Sequence, residues 1–163
     1  MTTATNTNVQ QLANRFDVFS QEVLDFVQGC SDADWGKITP AEGWPVGVTA
    51  RHIGVGHYPL IGWVQLVVDG QSLPGITMDE VNQMNDQHAQ DHANCTKAEV
   101  IEILRANSAK ALDYWTTLSD EDLERQSYFK LFDTDINAGD LFTSLLIDIA
   151  TAHFESMKAA TQN

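Results

Sequence analysis

The sequence predicts an all-α protein: one four-helix bundle domain over residues 1–163, with a long connection containing a short helix between helices two and three. Three observations predict it. Four segments place apolar residues three and four apart, the spacing of one helix face. Two capping-box signatures mark further helix starts. No sustained alternation of apolar and polar residues specifies a sheet, so helices must bury their stripes against each other.

Helix one carries Val9, Leu12, Phe16, Phe19, Val23, Phe26 and Val27, and Gly29 is placed to end it. The segment Ser31 to Gly47 holds two prolines, three glycines and two tryptophans, so it reads as a structured connection with at most a short turn at SDADW. Helix two is expected from Val48 to Val68, where Asp69-Gly70 stops it. After the loop GQSLPGI, Thr77-Met-Asp-Glu80 is a capping box opening a short polar helix from Met78 to His92. Thr96-Lys-Ala-Glu99 repeats the signature and opens helix three, striped by Val100, Ile103, Leu104, Ala111, Leu112 and Trp115 and expected to reach Leu118. One further turn is expected at Ser119 to Leu123. RQSYFKLFDTDINAG then reads as a connection whose aromatics pack onto the bundle. The last helix runs from Ala138 to Ala160 along Leu141, Leu145, Leu146, Ile149, Ala150 and Met157.

A chain of 163 residues suits one domain that buries roughly 70% of its unfolded surface. No apolar run approaches the roughly 18 residues of a membrane span, and the start MTTATNTNVQQLANRF lacks a secretory signal, so a cytoplasmic protein is expected. Cys30 and Cys95 read as free thiols. Nine basic against 23 acidic residues leave a charge of −14 with no basic cluster. Such a surface repels polyanions, which argues against nucleic acid and anionic membrane as partners.

The chemistry concentrates in histidines. His52 shares a helical face with Val48, Val55, Pro59 and Trp63, and His153 shares the stripe of Leu145, Leu146, Ile149, Ala150 and Met157, so both are expected to point into one core. Bundles place metal sites from facing helices in this way, although a lone core histidine is more often satisfied by a hydrogen bond than by a metal. His57 follows His52 by five residues, about 140° around a regular helix and too far for joint ligation. Pro59, Gly54 and Gly56 weaken the helix there, and a local distortion would bring His57 towards His52. Close approach of a neighbouring helix is the other meaning of those glycines. His88 and His92 have the i, i+4 spacing of a metal pair, but their polar surroundings read as a solvated helix end. Met84 and the tryptophans read as core or pocket lining. No nucleophile elbow, phosphate loop or C-x-x-C pair is present.

The run GWPVGVTARHIGVGHYPLIGW resembles the second helix of DinB-like bundles, with its Trp-Pro start and inward histidine, and LFTSLLIDIATAHFESMKAA resembles their last helix. The resemblance covers nearly the whole chain. It implies a dimeric bundle that binds a divalent metal, zinc or nickel among others, and acts as a hydrolase or as a thiol-dependent transferase or isomerase on a small molecule. It places metal ligands at His52 and His153, and a third at Ile149, whose side chain has no donor atom. His57 and His88 are the replacement candidates, and Trp44, His88, Trp63 and Ile149 the expected pocket residues. The contrasting expectation is a non-catalytic, dimeric binding bundle with a degenerate metal site.

Overall fold

The computed structural model describes residues 7–162. Helix α1 (Asn8–Gly29) opens on a capping box in which the Thr7 hydroxyl accepts from the Gln10 N–H and the Gln10 side chain accepts from the Thr7 N–H, each at 3.2 Å. Ser31 caps the short helix α2 (Asp32–Trp35), the turn expected at SDADW.

The second long helix is not one regular cylinder. It consists of α3 (Val46–His52), a π-helical turn (Ile53–His57), a 3-10 turn (Tyr58–Leu60) and α4 (Ile61–Val68). Pro59 has no N–H for the Val55 carbonyl, and Gly54 and Gly56 are poor helix formers, so the ladder slips where the sequence is weakest. The slip moves the buried face. A 3.6-residue period places Pro59 inward beside His52, yet Pro59 is exposed, while Ile53, Tyr58 and Val64 are buried.

Helix α5 (Met78–Asp91) has the predicted capping box, Glu80 Oε2 accepting from the Thr77 N–H at 2.7 Å, and α6 (Lys97–Trp115) is capped by Thr96. The connection after α6 holds an antiparallel hairpin that the sequence reading did not expect: β1 (Gln126–Phe129) pairs with β2 (Thr134–Asn137) around a turn with Asp133 at φ 50°. Strands of four residues are too short to show a period-two pattern. Of the aromatics here, Phe129 is buried against Trp63, whereas Tyr128 and Phe132 are exposed. The last long helix again breaks its regularity, as α7 (Ala138–Phe142), a second π-helical turn (Thr143–Asp148) and α8 (Ile149–Thr161).

Helix α1 packs on α6, α3 on α8, and α4 on α7, so the second and fourth long helices run antiparallel and complete a four-helix bundle. Trp115 stacks on Phe142 with ring centroids 3.9 Å apart, and Phe16 meets Tyr58 edge-on at 5.2 Å, filling one region of the core. Gly54 admits α6: a Cβ there would stand 2.7 Å from Ile103 Cγ2. Among the described residues no helix is long and apolar enough to cross a membrane.

Candidate metal centre

The π-helical turn decides where His57 goes. Closing i to i+5 bonds widens the helix, as the Tyr58 N–H reaching the Ile53 carbonyl shows, and residues five apart come nearer to one face than in a regular α-helix. The His52 and His57 rings are 5.0 Å apart. His153 comes from α8, which packs on α3, and its ring is 5.0 Å from each of the other two. One donor atom from each histidine lies within 4.8 Å of the others. Donors around a tetrahedral zinc stand roughly 3.4 Å apart, a difference that small side-chain rotations cover. Gly56 makes room for the arrangement, since a Cβ there would stand 2.6 Å from His52 Cε1.

Two of the rings have their tautomers fixed by partners outside the cluster. His57 Nδ1 donates to the Leu145 carbonyl at 2.8 Å, so its Nε2 carries the lone pair, and that atom is buried with no hydrogen-bond partner. The second π-helical turn assists. The Ile149 N–H, which an α-helix would direct at Leu145, goes to Ser144 instead. His153 Nδ1 donates to Glu42 Oε1 at 2.6 Å, which commits that nitrogen and leaves Nε2 as the one able to ligate a cation. Burial, then the neighbouring histidines, push His57 down to about 4 and His52 down to about 2, so both rings are neutral and ligand-competent at pH 7.

Glu42 is the partner of the cluster that sequence reasoning missed. It lies in the Pro/Gly-rich connection before α3, where the Gly43 N–H bonds the Thr39 carbonyl and Gly43 takes φ 72°. The Ala41 N–H donates to Ser156 Oγ at 3.1 Å, tying this turn to α8 one turn beyond His153. Burial raises the Glu42 carboxyl, but the bond from His153, helped by the Ser156 and Thr39 hydroxyls, prevails and holds it down to about 2. An acidic residue amid glycines and prolines just ahead of the histidine-bearing helix was the available signal; its partner lies 111 residues away.

The DinB superfamily model matches residues 15–146. The chain belongs to the DinB superfamily. Nothing among curated proteins matches it. Among solved structures the chain is similar to YfiT from Bacillus subtilis, described as a probable metal-dependent hydrolase with an unusual four-helix bundle topology, at TM-score 0.72 and 13% identity over 99% of this chain and 91% of that one. At that identity the likeness establishes the fold.

Within this DinB fold the other predicted residues separate. His88, which its neighbours in sequence mark as a solvated helix end and the family resemblance as a pocket residue, lies against the cluster, 5.5 Å from His52, with both ring nitrogens buried. The reason is tertiary: the long excursion brings His88 of α5 beside Trp44 and His52. Trp44 is edge-on to His52 at 5.4 Å and 6.2 Å from His88, so it borders the histidine cluster. Trp63 makes its ring contact with Phe129. Ile149 is 37% exposed, and Met84, expected to be buried, is 63% exposed. Of the five buried side-chain polar atoms without a hydrogen-bond partner among the described residues, four belong to His57, His88 and Glu42. Buried polar groups are nearly always satisfied, so this concentration fits residues arranged around a polar or metallic group.

Proposed function

We propose that this DinB bundle is a divalent-metal-dependent hydrolase of a small molecule, with His52, His57 and His153 as the protein ligands. The observation that carries the reading is the pair of outward-anchored rings. His57 and His153 each spend Nδ1–H on a fixed acceptor, Leu145 O and Glu42 Oε1, leaving Nε2 to the interior. His57 thereby supplies the donor that Ile149 lacks. Imidazole ligands suit zinc or nickel, and a set of three leaves a position open to substrate. The hydrolase named for YfiT supports the same class.

A bound divalent ion supplies a Lewis acid that polarises a scissile carbonyl or lowers the pKa of a water or thiol. The chain's own residues hold and tune that centre. Glu42 keeps the His153 proton on Nδ1 and orients the ring, the Leu145 carbonyl does the same for His57, and Trp44 shields the His52 edge from solvent.

The test is elemental mass spectrometry of untagged protein, followed by ester, amide and lactone hydrolysis assays with and without added low-molecular-weight thiol. Near-stoichiometric metal in the wild type, lost in His57→Ala and His153→Ala, together with thiol-independent turnover, is expected. Protein that neither retains metal nor takes up zinc or nickel sinks the reading and leaves a binding bundle. Turnover that requires the thiol assigns it to transfer.

A further inference from the structure

Beside the three converging histidines stands a fourth that the proposed ligand set does not use. His88 reaches the site from α5, the helix of the long excursion, and packs its ring 5.5 Å from His52 and 6.2 Å from Trp44. Its nitrogens are not among the donor atoms that gather within 4.8 Å of one another, so it adjoins the centre without completing it. Yet both Nδ1 and Nε2 are buried and neither has a hydrogen-bond partner.

The rings of the trio have fixed contacts of their own. His57 is anchored to Leu145, His153 to Glu42, and the His52 ring rests on the backbone at Gly56. Among the described residues, the buried side-chain nitrogens without a partner are His57 Nε2, which belongs to the trio, and the two of His88. In either tautomer an imidazole offers one N–H donor and one acceptor, so His88 suits a small polar ligand whose own protonation varies.

We infer that His88 is the protein's hydrogen-bonding residue for the small ligand held in the open position of the three-histidine centre. The inference rests on the metal reading above. It assigns α5 a role in substrate binding: the excursion carries the group that contacts the reacting ligand, while the bundle carries the metal ligands.

The probe is azide, titrated into cobalt-loaded protein and followed by visible absorption, with cobalt affinity measured separately. The proteins are the wild type, His88→Ala, His88→Gln and His92→Ala. The inference expects His88→Ala to bind cobalt as the wild type does but azide about five- to tenfold more weakly, the loss of one hydrogen bond. His88→Gln, which restores a donor, should recover most of that affinity, and His92→Ala should match the wild type. Unchanged azide affinity in His88→Ala would reduce His88 to packing and overturn the inference. Loss of cobalt itself in both His88 variants would make it a ligand, which also overturns it. Wild-type protein that takes up no cobalt fails the metal reading first, and the role of His88 falls with it.

Discussion

His57 Nδ1 lies 2.8 Å from the Leu145 carbonyl, and the two residues belong to the two π-helical turns of the bundle, Ile53–His57 and Thr143–Asp148. The irregularities of the second and fourth long helices thus meet each other. Each turn diverts an N–H that an α-helix would give to a nearer carbonyl, from Gly54 in one case and Leu145 in the other. Asn107 Nδ2 takes up the Gly54 carbonyl at 2.8 Å as His57 takes up Leu145. Side chains from other helices therefore take up the carbonyls that the two π-helical turns release.

Gly56→Ala should disable the centre while sparing the fold. The new methyl would overlap the His52 ring, 2.6 Å from Cε1 and 2.7 Å from Nδ1, so the ring must rotate away. Metal affinity is expected to fall more than tenfold, whereas the metal-free melting temperature changes little because alanine raises helix propensity by up to about 1 kcal/mol. Competitive zinc titration beside a thermal melt reads both, and undiminished affinity would count against the placement of His52.

Glu42 should matter as a partner of a ligand. Glu42→Ala removes the acceptor that fixes His153 and is expected to weaken metal binding about 10- to 100-fold. Glu42→Gln retains an acceptor oxygen for the Nδ1–H, and its loss should be smaller. If alanine and glutamine behave alike, the carboxylate does not act through hydrogen-bond geometry.

Acid should destabilise the metal-free protein from a defined pH. His52 and His57 have folded values of about 2 and about 4 against an ordinary 6.5. Above pH 6.5 neither state gains a proton and this stability is fully present. Below it, the unfolded chain protonates these rings and the folded chain does not, so stability falls by up to about 1.4 kcal/mol per pH unit for each histidine. For His57 the loss is complete once pH passes its folded value. Urea midpoints between pH 7.5 and 5, in the presence of a chelator, should drop more steeply for the wild type than for His57→Gln. Equal slopes would mean that the ring is not held neutral.

Tyr58 provides a control next to the site. Its hydroxyl is buried and has no hydrogen-bond partner, so Tyr58→Phe relieves an unmet desolvation cost and is expected to be neutral or stabilising by up to about 1 kcal/mol. Metal content should be unchanged. A destabilised or metal-free variant would assign that hydroxyl a partner within the working site.

The amino-acid pattern alone determined the bundle. Apolar residues three and four apart mark α1, α6 and the outer parts of the second and last helices, and the capping signal at Thr77 places the start of α5, because these depend on neighbours within about one turn. It also marked His52 and His153 as inward, and Gly54, Gly56 and Pro59 as the weak point of the second helix. The tertiary structure decided the rest. Glycine and proline can mark where a helix is weak, but a π-helical turn is a shift of one hydrogen bond, and whether it forms depends on what receives the displaced groups. Here the receivers are Asn107 for the Gly54 carbonyl and His57 for that of Leu145. His57 therefore joins His52 and His153, Glu42 meets His153 across 111 residues, and α5 brings His88 against the cluster. A linear sequence can show which side chains are able to bind a cation; only packing between distant segments fixes the tautomers and separations on which that binding depends.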